Sequence, residues 1–219
     1  MVRRCDVIFP CKDEAAAIPA LLAHVPAGFG IIVVDNGSID DTAEVAKRCG
    51  ARVVYESVAG YGAAVQAGVE ASGADYVAIM DGDGSMDPRE ITGLLDAVVV
   101  GRATMAMGRR RPVGAGVWPW HARAGNALVL WWLRRRTGLL VRDIAPMRVC
   151  RREELLALDV RDRRFGYPVE LLVKAQAAGW VLTEVDISYR PRAAGTRSKV
   201  SGSVRGTVRA ARDFARVLL

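Results

Sequence analysis

Cysteine, histidine and long apolar runs are all scarce in this chain, and each scarcity excludes something. The four cysteines, Cys5, Cys11, Cys49 and Cys150, show no C-x-x-C spacing, so neither a zinc knuckle nor a disulfide framework is indicated. They read as buried, reduced thiols of a cytosolic protein. There are two histidines. His24 falls on a helical face and His121 in a tryptophan-rich segment, and both read as structural. No run approaches the roughly 18 apolar residues that cross a bilayer. The opening Met-Val-Arg-Arg leads directly into an apolar run too short for a signal peptide. Repeats and linkers are absent as well, so the 219 residues read as one domain with ample material for a core.

What is plentiful is apolar and basic. Hydrophobic residues make up 51% of the chain and the formal net charge is +7. That balance favours an anionic partner: nucleic acid, a phosphorylated small molecule or an acidic membrane surface. The basic residues concentrate in the second half without a recognisable nucleic-acid motif, which argues against nucleic acid.

The first half alternates. Apolar runs at 5–10, 30–38, 51–56, 75–81 and 103–108 read as strands, and the stretches at 13–25, 40–50, 60–73 and 87–101 read as helices. Asp13 and Glu14 lie near the start of the first helix, where the dipole favours acids, and Pro88 opens the fourth behind Asp87, a natural cap. Strands without polar alternation, separated by helices, predict a parallel sheet covered on both faces. Ligands of such sheets bind beyond the carboxyl ends of the strands. Asp35, Asn36 and the acids from Asp81 onward fall at those ends. In the second half, 116–138 mixes tryptophans with a triple arginine, 151–160 and 167–180 look helical, 181–190 looks like a strand, 191–202 is a basic loop and 203–219 is helical in pattern.

The segment "YVAIMDGDGSMDP" (76–88) carries the strongest chemical signal. Asp81 and Asp83 flank one glycine, so both carboxylates can turn to a point just past the strand. Two hard oxygen donors there suit Mg²⁺ or Mn²⁺, which can in turn hold a nucleotide diphosphate. The calcium-loop pattern fails, because Met86 and Thr92 stand where glycine and glutamate are required. A phosphatase nucleophile loop of the haloacid-dehalogenase type would need a later acidic pair that is not found. As a dinucleotide fingerprint, "GYGAAV" lacks the third glycine and follows the third strand instead of the first.

The order of "VIFPCKDEAAAI", "IIVVDNGSIDDT", "GYGAAVQAG", "ADYVAIMDGDGSMDP", "VRDIAPMRVCRREEL", "GYPVELLVKAQAAGW" and "RAAGTRSKVSG" resembles family 2 glycosyltransferases, in particular dolichyl- or polyprenyl-phosphate mannose and glucose synthases. The resemblance implies an α/β, GT-A (Rossmann-like) fold: a mixed, mostly parallel sheet flanked by helices on both faces, in a single domain. Residues 1–112 would bind the nucleotide sugar, 113–202 would hold the acceptor and the basic loop, and 203–219 would form a basic amphipathic helix.

It also implies an inverting transfer of mannose or glucose from a GDP- or UDP-hexose to a polyprenyl phosphate, with Mg²⁺ or Mn²⁺. Pro10, Glu14, Asp35 and Asn36 would hold the base and ribose, although the family more often has aspartate where Asn36 stands. Gly60, Gly62 and Gly82 would let the protein backbone approach the nucleotide. Asp81 would touch ribose or metal, and Asp83 would be the main metal ligand. Arg192, Arg197, Ser198 and Lys199 match the basic loop that closes over the diphosphate. An acceptor phosphate is already anionic and needs no strong base, but it needs cations. Arg109 and Arg123 are placed there, since a guanidinium forks phosphate oxygens. Asp143 and Arg148 match the family's D-x-x-x-x-R segment, with "IAPMR" where "TSGFR" is common, and Glu170 would orient the acceptor or these arginines.

Trp118, Trp120, Trp131 and Trp132 near Arg134, Arg135 and Arg136, and the basic stripe of the tail, suggest peripheral attachment of a cytoplasmic enzyme to an anionic membrane surface. A soluble acceptor and a non-catalytic nucleotide- or lipid-binding module are the alternatives.

Overall fold

Apolar runs with no polar alternation require cover on both sides, and the sheet supplies two covered faces. The computed structural model describes residues 5–114, 116–193 and 214. Its strands are β1 (Cys5–Cys11), β2 (Phe29–Asp35), β3 (Arg52–Tyr55), β4 (Tyr76–Ile79), β5 (Met105–Pro112), β6 (Arg148–Arg151) and β7 (Leu182–Tyr189). They form one seven-stranded sheet in the order β3-β2-β1-β4-β6-β5-β7. Neighbours among β1 to β4 pair in parallel, and so do β5 and β7. Among the described strands β6 alone is antiparallel, inserted between β4 and β5.

The helices are α1 (Ile18–Leu22), α2 (Thr42–Arg48), α3 (Tyr61–Ala71), α4 (Ile91–Val99), α5 (Trp120–Thr137), α6 (Arg152–Ala157) and α7 (Tyr167–Ala177). Successive strand residues point to opposite faces. Accordingly Val7 and Phe9 join Val33, Ala78, Ala106 and Val149 in one cluster with Ile18, Leu21, Ile91 and Leu94 of α1 and α4. Ile8 joins Ile32, Val34, Val77, Ile79, Met105 and Met107 in a second cluster, covered by α3, α5, α6 and α7. The expected two-faced α/β sheet is what forms.

Two elements differ from the sequence expectation. The first helix starts only at Ile18, because Pro19 fits the first turn of a helix and not its interior. The short strand β6 was not anticipated. Its four residues, two of them arginine, run straight into α6, and no periodicity marks them. The expected cap is present: Asp87 accepts from the Arg89 N–H at 3.1 Å, ahead of Pro88. Cys5, Cys11 and Cys150 are buried free thiols as expected, whereas Cys49 is exposed. Arg197, Ser198, Lys199 and the amphipathic tail lie outside the described residues, apart from Phe214, which packs half-buried against the second cluster.

Close packing of α3 on the sheet depends on Gly68. A Cβ there would lie 2.3 Å from Ile8 Cγ2 and 3.0 Å from Val34 Cγ2. Gly68→Val is expected to cost about 3 kcal/mol by overpacking, lowering the Tm by about 6–12 °C for a chain of this size. Gly73→Ala, where a Cβ meets nothing within 4 Å, should leave it unchanged. Scanning calorimetry of the two variants checks this.

Candidate active site

The acids meet because two strand ends and one bare glycine bring them together. Cys11 ends β1 opposite Asp35 of β2. Beyond β4 the chain passes directly over Cys11, where a Cβ on Gly82 would be 2.3 Å from Cys11 Sγ and 3.8 Å from Pro10 O. Only glycine allows that passage, so Gly82 and Pro10 shape the crossing itself. Burial first, then Glu14, Asp81, Asp83 and Asp35, hold the Cys11 thiol well above its ordinary pKa. One buried sulfur thus reports four carboxylates around it. Burial and the neighbouring Asp83 push Asp81 up to about 6, against the pull of Arg192, Arg110 and Arg148.

The loops behind β1 and β2 are tied to each other. The Glu14 N–H donates to Thr42 Oγ1 at 2.8 Å, and Asp35 accepts from the Ser38 N–H at 3.2 Å. Glu14, Asp35 and Asn36 are all buried. Asn36 is occupied: its amide donates to Glu56 O and Val58 O at 3.0 and 2.8 Å, and its Oδ1 accepts from the Gly60 N–H at 2.8 Å. It therefore fixes the loop that enters α3.

Gly60 and Gly62 are crowded by protein backbone on their Cβ side. A Cβ on Gly60 would be 2.0 Å from Arg163 O, and one on Gly62 2.2 Å from Asp162 O. The space these glycines leave is filled by the 160s loop, whose Arg164 O accepts from the Gly62 N–H at 3.1 Å. Glu170 secures that same loop, accepting from the N–H groups of Arg161 and Asp162 at 3.0 and 2.6 Å and pairing with Lys174 at 3.1 Å. In the structure Glu170 orients this loop.

Of the arginines on β5, the one that bears on Asp81 is Arg110, not Arg109. The sequence reading ended this strand at residue 108, making Arg109 the first side chain past it. In the structure β5 continues to Pro112, so alternation decides. Arg109 and Arg111 share Asp186, at 2.5 and 2.8 Å, and hold its carboxyl down at about 2. Arg110 turns the other way. Its Nε and Nη2 fork Asp143 at 2.8 and 2.6 Å, and its N–H adds a third bond at 3.0 Å.

The loop carrying Asp143 is itself held, since Glu184 Oε1 accepts from the N–H groups of Arg142 and Asp143. The Arg110 guanidinium lies 4.2 Å from the ring centre of Trp118 and 5.4 Å from that of Tyr189. Trp118 is thereby part of the site wall, not of the exposed surface expected for it. Arg123 is exposed in the first turn of α5. Arg148 is 1% exposed. It donates to Ile144 O, lies against the Tyr61 hydroxyl and keeps Nε and Nη1 buried without a partner. Buried this deeply, it acts on Asp81 through its charge and lines no open acceptor surface. Arg192 Nη1 lies 2.6 Å from Asp83 Oδ2.

Sequence reasoning thus missed Arg110, Trp118, Tyr189, Glu184 and Tyr61. The signal for Arg110 was the two-residue period through the Arg109–Arg111 run, readable only with the strand carried to Pro112. His24 and His121 are both exposed and have no place among these groups.

An acid-lined carboxyl edge facing a clamped arginine agrees with comparison to known proteins. Residues 6–150 match Glycosyl transferase family 2. An uncharacterised glycosyltransferase of Mycobacterium bovis is 54% identical over 212 residues, covering 97% of this chain and 96% of that one. The polyprenol monophosphomannose synthase of Mycolicibacterium smegmatis is 33% identical, over 92% of this chain and 82% of its own. Among solved structures, glucosyl-3-phosphoglycerate synthase from Mycobacterium tuberculosis in complex with Mn²⁺, uridine diphosphate and glucosyl-3-phosphoglycerate superposes with a TM-score of 0.76 at 22% identity, covering 100% of this chain and 79% of that one. The chain belongs to glycosyl transferase family 2: it is a glycosyltransferase, and its fold is GT-A.

The Arg110–Asp143 pair is buried and bidentate, so removing one partner strands the other. Asp143→Ala is expected to cost about 3–5 kcal/mol, read by urea denaturation. Asp186→Ala, at the exposed pair with Arg109 and Arg111, should barely move the midpoint.

Proposed function

We propose that the protein transfers a hexose, with inversion, from a nucleoside-diphosphate sugar to a phosphate-bearing acceptor, with the help of Mg²⁺ or Mn²⁺. The observation that carries this reading is the convergence of Asp81, Asp83, Asp35 and Glu14 at one strand edge, opposite the Arg110 guanidinium clamped by Asp143. Asp81 and Asp83 fit a hard divalent ion. They offer carboxylate oxygens, and Asp83 already seats a cation, the Arg192 guanidinium, at 2.6 Å. Among the described residues no three His, Cys, Asp or Glu side chains form a metal cage. Phosphate and water oxygens would complete the coordination, as is usual for Mg²⁺. When bound, the ion neutralises the charge that builds on the departing diphosphate.

The chain's own residues do the rest. Asp35 and Glu14 hold the nucleoside, with Asn36 keeping the neighbouring loop in shape. Asp83 holds the diphosphate end through the cation. Arg110, fixed by Asp143 and backed by Trp118 and Tyr189, presents its charge to the acceptor phosphate. A phosphate oxygen attacks the anomeric carbon, the bond from that carbon to the diphosphate oxygen breaks, and the electron pair leaves on the diphosphate. A phosphate nucleophile has no proton to lose, whereas a hydroxyl on a small phosphorylated acceptor would have to pass its proton to a base.

The acceptor is proposed at the level of its phosphate, and two sources are carried. A small soluble phosphorylated acceptor is suggested by the structural neighbour, which holds glucosyl-3-phosphoglycerate. A polyprenyl phosphate is suggested by the mannose synthase relative. It is also suggested by Trp120, Leu128 and Trp131 of α5, exposed by 79%, 62% and 57% beside Arg134, Arg135 and Arg136. These side chains would rest on an anionic membrane surface. None of the described helices is long and apolar enough to cross a membrane.

Nucleoside diphosphate at about 100 times its Kd adds roughly 2.7 kcal/mol, so GDP or UDP with Mn²⁺ should raise the Tm by about 5–10 °C. Asp83→Ala should abolish that shift with the fold intact; a shift that survives in the variant defeats the donor-site assignment. Transfer assays with phosphoglycerate and with a short polyprenyl phosphate then separate the two acceptors. In either, Arg110→Ala should raise the acceptor KM at least tenfold, the scale of a charge-assisted fork, and Arg109→Ala should not.

The raised carboxyl of Asp81 sets a pH dependence. Below pH 6 the cation must displace its proton, and above that it need not. The affinity for Mn²⁺ should therefore fall by about tenfold per unit on acidification below pH 6 and level off above pH 7. Titration by electron paramagnetic resonance reads this.

A further inference from the structure

Asp83 is the best-defined acid of the site, and both of its oxygens are engaged. Oδ1 accepts from the Ser85 N–H at 2.9 Å, and Oδ2 faces Arg192 Nη1 at 2.6 Å. The segment that brings Arg192 there is fastened on both sides. The Ser188 N–H and hydroxyl donate to Glu90. The Arg190 N–H donates to Ser85 O at 2.8 Å, and the Ala193 N–H to Asp83 O at 3.0 Å. The Arg190 guanidinium adds an ion pair to Asp87 at 3.7 Å. Ala193 lies so close to Gly84 that a Cβ on that glycine would be 3.4 Å from the Ala193 Cβ, and Gly84 takes a φ of +75°. Backbone bonds at 190 and 193 therefore hold the strap while the Arg192 side chain between them, 31% exposed, remains able to swing.

We propose that Arg192 competes with the divalent cation for Oδ2 of Asp83 and, once displaced, turns its guanidinium to the donor's diphosphate. This rests on the donor-site reading above. A divalent ion on Oδ2 and a guanidinium in contact with the same oxygen repel each other, so metal binding there disfavours the Arg192 contact. The strap's backbone bonds do not involve the carboxylate, so they survive the exchange. The expelled charge then stays within one side chain's length of the metal, where the diphosphate lies. A guanidinium matches phosphate oxygens better than it matches a carboxylate already shared with an ion. Arg192 thereby keeps Asp83 in place for the metal and links metal binding to the arrival of the donor.

The test compares the wild type with Arg192→Gln in two titrations. The first follows Mn²⁺ alone by electron paramagnetic resonance. The second follows UDP and GDP by calorimetry at saturating Mn²⁺. The variant is expected to bind Mn²⁺ alone about 3–10-fold tighter, because a competing partner has gone, and to bind the preferred diphosphate several-fold weaker. Arg192→Lys should fall between the two. Changes of opposite sign are not what a purely structural role would give. Unchanged or weaker Mn²⁺ binding in the glutamine variant, with the wild type binding both ligands, overturns the inference and leaves the donor site standing. If neither protein binds Mn²⁺ or diphosphate, the donor-site reading falls and the inference with it.

Discussion

Carboxylates gathered at one strand edge repel one another, and much of the second half of this chain is arranged to hold that repulsion. Glu14, Asp35, Asp81 and Asp83 surround the buried Cys11, and the position of Asp81 near 6 records how poorly water reaches the group. The compensating charges come from distant sequence: Arg110 on β5, Arg148 on β6 and Arg192 beyond β7. The late strands therefore add more than width to the sheet. Inserting β6 antiparallel between β4 and β5 brings Arg148 opposite Ile79, two residues before Asp81. A sheet continued directly from β4 to β5 would have no such buried cation there.

The same balance explains the basic composition. Many of the arginines are spent in pairs: Arg89 with Asp87, Arg109 and Arg111 with Asp186, Arg161 with Asp159. A net charge of +7 looked like the mark of a polyanionic partner. One-to-one pairs of this kind are neutral, so the excess lies in the other cations: a few guanidiniums directed at the site and Arg123, Arg134, Arg135 and Arg136 along α5, which carries no acid.

The first five strands were legible because continuous apolar runs have few alternatives once polar helices separate them. The D-x-D segment was legible because three acids past such a run need a reason. Arg110 and the glycines were not, and the physical cause is the same in both cases. Adjacent residues in a strand face opposite ways, so Arg109 and Arg110 differ entirely in role while looking equivalent in sequence, and only a strand carried on from 108 to 112 separates them. Gly60 and Gly62 looked like ligand-facing glycines, yet the backbone that approaches them is that of Asp162 and Arg163, about a hundred residues away in sequence. No local pattern distinguishes a glycine kept bare for a ligand from one kept bare for another loop. Asn36 taught the same lesson: its amide pattern suits a base, and the structure spends it on Glu56, Val58 and Gly60.

β7 joins the two substrate sides into one mechanical unit. It pairs with β5 over its whole length, from Met105 opposite Leu182 to Pro112 opposite Tyr189. Glu184 fixes the loop of Asp143, Asp186 gathers Arg109 and Arg111, and Tyr189 stands beside Arg110. Three residues past Tyr189, Arg192 rests on Asp83. The aromatic wall beside Arg110 and the cation on Asp83 are thus consecutive parts of one strand and its extension. A shift at one end cannot be absorbed by a loose linker, because the backbone bonds at Arg190 and Ala193 and the Glu90 anchor at Ser188 leave little slack.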